Sequence, residues 1–338
     1  MYFNFTEDQL LFRDAVAELL AAKCGPEVVR AAWDNAGTGR DPKLWAALAE
    51  MGIIGLTIPE AHGGLGMNDV DLTPLLTEAG RVALPAPVLE TVAVAAPFIA
   101  ESTSDAFAAE WLPKIADGSA IVTVQFEGQP FVTDAHIAQL LLVQKGNSMM
   151  AVPGDSLRLT QQHSVDGARR IFSVDWDEAD AQVVATNAEA AIAKAFNRAA
   201  VAASAELIGL SEQMIAMTVA YVVDRKQFGV PIGSFQAVKH HLADAELKVS
   251  FARPLVWNAA YAIANGSDSV DRDVSMAKCF ASDAGTFVAR KALQTHGAIG
   301  YTTEHDLHFW MKRTWALAGS FGDAGWHRRR VAHLLLDS

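Results

Sequence analysis

The stretch from Arg225 to Gln236, Arg-Lys-Gln-Phe-Gly-Val-Pro-Ile-Gly-Ser-Phe-Gln, constrains the fold more than any other, because it joins two long helical patterns. Before it, Leu207, Leu210, Met214, Met217 and Tyr221 recur at helical spacing, and after it Phe235, Val238, Leu242, Ala245 and Val249 do the same. Gly229, Pro231 and Gly233 end the first helix and let the chain reverse. The pattern predicts a helical hairpin with an arginine and an aromatic at its turn. Arg225 offers a forked donor for a phosphate or a carbonyl. Taken alone, Arg-x-x-Phe-Gly reads more simply as a surface arginine beside a buried Phe228.

The rest of the chain sets the class. Its 338 residues are enough for a large core or two to three regions, and 51% of them are hydrophobic. A net charge of -12 argues against nucleic acid or an anionic membrane as the main partner. Cys24 and Cys279, the two cysteines, fit no metal spacing or disulfide framework and read as reduced thiols of a cytoplasmic protein. The start, Met1-Tyr2-Phe3-Asn4-Phe5, turns acidic at Glu7 and Asp8, unlike a signal peptide. The apolar run from Val88 to Ala100 contains Glu90, Thr91 and Pro97, so it is not expected to span a membrane.

Three regions follow in order. Residues 1–118 read as helical: Thr6 and Gln9 are placed as a capping box, Leu10, Leu11, Val16, Leu19 and Leu20 give the first helix an apolar side, and Leu44, Leu48 and Met51 mark a helix ended by Gly52. The glycines of Gly63-Gly64-Leu65-Gly66 lack the ending of a P-loop and the strand-to-helix setting of a dinucleotide turn, and read as a tight structural loop. Residues 119–186 hold short β-like runs at 121–124, 140–143, 149–152 and 171–174, for which a small barrel or sandwich is the natural solution. Residues 187–338 predict an antiparallel bundle with helices near 189–224, 234–265, 271–297, 304–318 and 324–336. Val274, Ala277, Ala281, Ala284 and Val288 form a small-residue stripe suited to close helix packing, in the interior or at a subunit interface. The fold class is thus mostly α with a small β middle domain.

Three sets of motifs resemble the acyl-CoA dehydrogenase family. The first is Arg-x-x-Phe-Gly-x-x-Ile-x-x-Phe-Gln at 225–236. The second is Gln294-Thr295-His296-Gly297-Ala298-Ile299-Gly300-Tyr301 with Glu304-His305-Asp306-Leu307-His308, in which Ala298 replaces a usual glycine. The third combines Leu44-Trp45, Met51-Gly52-Ile53-Ile54-Gly55, Ile58-Pro59-Glu60 and Gly63-Gly64-Leu65-Gly66. The resemblance implies an N-terminal helical domain, a β domain and a C-terminal helical bundle. It also implies FAD as cofactor and α,β-dehydrogenation of an acyl-CoA thioester, with electron-transfer flavoprotein as a possible acceptor. In the family the two C-terminal motifs reach a neighbouring subunit's FAD. Carried over, Arg225 would bind its pyrophosphate, Phe228 would pack near the adenosine half and Gln236 would support that end. Gln294, Gly297 and the backbone around Ala298 would contact the pyrophosphate or ribitol side. Ala298 should be tolerated there only with a negative φ.

The departures from the family form a pattern. Its flavin-ring segment is replaced by Val124-Gln125-Phe126-Glu127-Gly128-Gln129-Pro130, and its later Trp-containing segment has no counterpart. The family's catalytic glutamate, which removes the α-proton, falls on Gly322 by one count and on Ala199 by the other. Asp323 adjoins the first position; it reads more simply as an N-cap of the last helix than as a base. His327, Arg328, Arg329 and Arg330 read as a solvated or interface face rather than a CoA phosphate contact. Residues serving a neighbour's FAD are kept, and those serving this chain's own ring and base are missing. That pattern resembles the shorter subunit of actinobacterial heteromeric (α2β2) acyl-CoA dehydrogenases, some of which act on sterol side-chain CoA thioesters, with a full-length partner supplying ring contacts and glutamate. The alternatives are a homomeric dehydrogenase or oxidase using Asp323, and a scaffold subunit without chemistry.

Overall fold

The computed structural model describes residues 4–34 and 37–336; Met1-Tyr2-Phe3, on which the signal-peptide reading partly rests, lies outside them. The helices are α1 (Glu7–Lys23), α2 (Pro26–Asp34), α3 (Pro42–Glu50), α4 (Asp69–Arg81), α5 (Ala96–Ser102), α6 (Asp105–Ala116), α7 (Glu189–Asp224), α8 (Gln236–Ala264), α9 (Val270–His296), α10 (Leu307–Gly319) and α11 (Ala324–Leu336). The strands are β1 (Val122–Gln125), β2 (Val132–Thr133), β3 (Leu140–Lys145), β4 (Ser148–Pro153), β5 (Arg158–Gln162), β6 (Ile171–Asp175), β7 (Gln182–Ala185), β8 (Lys226–Gln227) and β9 (Val230–Pro231). The chain forms two compact units, each assembled from separated segments: Met1–Val29 with Thr73–Leu84 and Ala200–Ser338, and Arg30–Leu72 with Pro85–Ala199.

The second unit holds the β region. β1, β3, β4 and β7 make one sheet in that order, with β1 parallel to β3, and β2, β6 and β5 make another. Leu141, Val143 and Val152 of the first sheet pack with Val132 and Phe172 of the second, the sandwich form of the two expected solutions. The Gly63–Gly66 loop is structural, as expected: a Cβ on Gly64 would lie 2.1 Å from the Ile58 carbonyl oxygen, so no side chain fits. A π-helical segment, Leu89–Ala95, is buried throughout. It includes Glu90, whose pKa burial raises above the ordinary carboxylate value.

The first unit is a helical bundle. At its start, Thr6 Oγ1 accepts from the Gln9 amide at 3.2 Å and Gln9 Oε1 accepts from the Thr6 amide at 2.8 Å, the predicted capping box. Val16 and Leu20 are buried but Leu11 is 68% exposed. Adjacent Leu10 and Leu11 point about 100° apart on a helix and cannot share one face. Val274, Ala277, Ala281, Ala284 and Val288 are all buried, so the small-residue stripe of α9 is interior packing. α7 is long and apolar enough to cross a membrane by length and composition. Its buried Ala203, Leu207, Leu210 and Met214 also make it a core helix.

Within this unit α4 and α7 meet at glycines. A Cβ on Gly209 would lie 1.8 Å from the Thr77 carbonyl oxygen, and one on Gly80 would lie 2.2 Å from the Glu206 carbonyl oxygen. Because the obstacles are backbone atoms, a methyl group can be accommodated only by moving a helix. Gly209→Ala should therefore destabilise the protein by about 1–3 kcal/mol despite alanine's better helix propensity, read as a lowered urea midpoint.

Candidate functional site

The Arg225 junction is a hairpin within a hairpin. β8 and β9 pair antiparallel through Lys226–Pro231 and Gln227–Val230, and the two residues between them, Phe228 and Gly229, have φ of +53° and +81°. Two successive positive φ values are what a two-residue hairpin loop with right-handed strand twist requires. Gly229, Pro231 and Gly233 predict the reversal but not the ribbon, since two residues per strand carry no readable alternation. The buried Phe228 of the simpler reading is wrong. The ring is 92% exposed at the ribbon's tip, with an edge contact to Phe235 at 6.2 Å between centroids. An exposed phenylalanine in left-handed backbone is unfavourable in water on both counts. Arg225 and Gln236 are also exposed.

The second junction is the end of α9. Gly297 has φ +64° and ψ -139°, a conformation open only to glycine, and a Cβ built on it would meet nothing within 4 Å. Ala298 is not among the residues with positive φ, so it satisfies the condition set for replacing glycine. Gln294, Gly297 and Ala298 are exposed. The two junctions are neighbours: Tyr221, one turn before Arg225, donates its phenol proton to the His296 carbonyl at 3.3 Å and stacks on the His296 ring at 4.5 Å. Burial holds the His296 pKa below its ordinary value of 6.5. In the sequence Tyr221 is only an apolar-face residue, because its hydroxyl contact has no periodic signature.

Both counted base positions are closed. Gly322 has φ +86°, and a Cβ there would lie 2.7 Å from Trp326 Cε3 and 2.8 Å from His327 Nε2. Ala199 is fully buried on α7. Beside it, Arg198 is clamped by Asp69 and Glu101, with N–O distances from 2.8 to 3.3 Å. Asp323 caps α11: its Oδ1 accepts from the Trp326 amide at 2.6 Å, and that hydrogen bond holds its pKa below the ordinary value. Glu212 on α7 lines a cavity of 540 Å3, where Arg253 donates to its Oε1 at 2.6 and 2.9 Å and Arg81 pairs with its Oε2.

The segment at the place of the family's ring contacts also closes on itself. Gln125 Nε2 donates to the Gln129 carbonyl at 3.0 Å, and the Glu127 amide donates to Gln144 Oε1 at 3.1 Å. Phe126 is buried, edge-on to Phe196 at 5.5 Å.

Known proteins place this arrangement. Residues 6–119 match the acyl-CoA dehydrogenase N-terminal domain and residues 189–336 match the acyl-CoA dehydrogenase C-terminal domain. This chain belongs to the acyl-CoA dehydrogenase family. Acyl-CoA dehydrogenase IpdE2 of Mycolicibacterium smegmatis is 34% identical over 327 residues, covering 96% of this chain and 98% of its own. Among solved structures, a chain of the ChsE4-ChsE5 complex from Mycobacterium tuberculosis superposes with a TM-score of 0.90 at 25% identity, over 100% of both chains. A chain of a variant of the Tcur3481-Tcur3483 steroid ACAD gives 0.89 at 25% identity, over 98% of both. The family's helical N- and C-terminal domains with a small β region between them are thus the architecture of this chain.

Two outcomes follow from the closed base position. Gly322→Glu should create no base and should cost about 1–3 kcal/mol through backbone strain and the clash with Trp326 and His327, measurable as a lowered melting temperature. His327 is fully buried, its Nε2–H donates to the Phe321 carbonyl at 2.9 Å, and burial pushes its pKa down from 6.5 to about 4. Between these pH values the unfolded chain takes up a proton that the folded chain refuses. Stability should therefore fall as pH drops from about 6.5 to about 4, by at most about 1.4 kcal/mol per pH unit from this residue, with no contribution above that window. Urea midpoints across pH 4–8 should show this slope, and a His327→Gln variant should show it reduced.

Proposed function

We propose that this chain is a subunit of an FAD-dependent acyl-CoA dehydrogenase that lends contacts for the pyrophosphate and adenosine end of FAD to a full-length catalytic partner in a cytoplasmic α2β2 assembly. The observation that carries this reading is the exposed, left-handed Phe228 beside an exposed Arg225, next to the open backbone of Gly297. The residues fit the cofactor. A planar guanidinium suits a pyrophosphate, an exposed ring suits an adenosine face, and a glycine without a nearby neighbour admits close backbone approach.

In this reading the chain's own residues bind and orient, and do not transfer protons. Arg225, Gln294 and the Gly297 turn would hold the diphosphate end, and Phe228 with Gln236 would support the adenosine end. When bound, FAD supplies the acceptor for the β-hydride of the acyl thioester. The α-proton goes to a carboxylate of the partner, because here Gly322 and Ala199 supply none and Asp323 is engaged as a cap. The likeness to chains of the ChsE4-ChsE5 complex and of a steroid ACAD supports a heteromeric enzyme acting on a bulky, sterol-derived acyl-CoA; electron-transfer flavoprotein as its electron acceptor rests on the family resemblance alone.

The test is the visible spectrum and native mass of the chain alone and with a full-length dehydrogenase encoded beside it. The expected result is a colourless lone chain and a yellow heterotetramer. Arg225→Ala should weaken FAD retention in the complex by roughly 30- to 100-fold, the loss of a charge-assisted double hydrogen bond. A lone chain that holds one FAD and oxidises an acyl-CoA would overturn the reading.

A further inference from the structure

Three helix ends converge beneath the two exposed turns. Tyr221 lies in the last turn of α7, His296 ends α9, and His305 precedes α10. Their rings form a cluster: Tyr221 stacks on His296 with centroids 4.5 Å apart, His305 meets His296 edge-on at 4.6 Å, and Tyr221 meets His305 edge-on at 6.3 Å. The polar atoms fix the tautomers. His296 Nδ1 lies 2.8 Å from the Ala292 carbonyl and so carries the proton, leaving Nε2 bare. His305 Nδ1 accepts from the Leu307 amide at 3.1 Å, so its proton sits on Nε2. Both rings are thereby oriented by backbone, and Tyr221 packs against an already rigid surface.

The hydroxyl of Tyr221 does something the ring alone does not. Tyr221 donates to the His296 carbonyl, where α9 ends and a short 3-10 turn, Gly297–Tyr301, begins; a carbonyl has two lone pairs, and this one belongs to the peptide leading into Gly297. On its own helix the Tyr221 carbonyl accepts from the Arg225 amide at 2.9 Å, and the Arg225 carbonyl accepts from the Ile232 amide at 2.8 Å to close the ribbon base. One residue therefore touches the backbone of both turns: Arg225 through its carbonyl, and Gly297 through its phenol.

We propose that Tyr221 is a positioning residue that holds the Arg225 turn and the Gly297 turn in one register, so that both can engage the same diphosphate. This rests on the reading of these turns as an FAD cradle. Without the hydroxyl, the peptide before Gly297 keeps its own helical bonds, the Gly297 amide to the Leu293 carbonyl among them, but loses its tie to α7, so the two turns are free to shift relative to one another and their donors match a single ligand less well. Tyr221 touches no cofactor itself.

The test is FAD titration of the yellow complex after flavin removal, followed by flavin fluorescence quenching, for Tyr221→Phe, Tyr221→Leu and Arg225→Ala, with melting temperatures of the flavin-free forms. Tyr221→Phe keeps the stack and so keeps the fold; it should weaken FAD binding about fivefold with an essentially unchanged melting temperature, in line with the loss of one neutral hydrogen bond. Tyr221→Leu should weaken it further. If Arg225→Ala weakens FAD binding but both Tyr221 variants bind as the parent does, whatever their melting temperatures, the positioning role is overturned and the cradle stands. If Arg225→Ala also binds FAD normally, the cradle reading fails and this proposal falls with it.

Discussion

A buried ammonium group governs how the C-terminal bundle closes. Lys278 on α9 is fully buried, and its Nζ donates to Ser282 Oγ at 3.0 Å and to the Ala318 and Gly322 carbonyls at 3.1 Å each. Removing an ammonium from water costs several kcal/mol unless acceptors replace the lost hydration, so the geometry around it tolerates little movement. Two of those acceptors lie at and beyond the end of α10, where helix carbonyls lack partners and the dipole favours a cation. Lys278 thus fixes where α10 stops. The chain must then turn through Phe321 and Gly322, with φ of +52° and +86°. His327 fastens the turn from the far side through the Phe321 carbonyl, and Asp323 begins α11 by capping it. The base position is therefore closed by an assembly spanning three helices rather than by the lack of one carboxylate.

Much of this architecture was legible because helices declare themselves locally. The five C-terminal helices lie within three residues of the expected bounds, since Gly, Pro and capping residues mark their ends and apolar spacing marks their length. The capping box at Thr6 and the N-cap at Asp323 were readable for the same reason: both join residues three apart. The β region was harder. β5 is Arg-Leu-Thr-Gln-Gln and β7 is half exposed, so neither carries a strong apolar signal, and both exist because neighbouring strands pair with them. The interleaving of segments in the two compact units left no local trace either, because it is decided by long-range packing.

The candidate site was legible as chemistry and illegible as geometry. Arg225, Phe228, Gln236, Gln294, Gly297 and Ala298 were picked by motif, and the motifs could not say that Phe228 stands in solvent or that Ala298 has an ordinary φ. The link between the two motifs, from Tyr221 to the His296 carbonyl, joins residues 75 apart in sequence. Nothing in spacing or composition encodes a hydroxyl reaching a distant backbone oxygen, and a tyrosine on an apolar helical face is fully explained by its ring.

The exposure pattern bears on the proposed division of labour. A side chain that serves a ligand held within its own chain gains by lining that chain's cleft, where water is excluded and electrostatic contacts strengthen. A side chain that serves a ligand held by a neighbour must project from the chain and stay without a partner until assembly. The six motif residues are all exposed, as the proposed reading requires; all but one are polar or present glycine and alanine backbone, and the exception is the costly one. Phe228 combines an exposed ring with a left-handed backbone, a strain on the order of 1–3 kcal/mol that glycine or asparagine at that place would relieve. A tip that packs against a cofactor's adenosine half recovers the cost on assembly, because the same ring that is unfavourable in water becomes buried area in the complex.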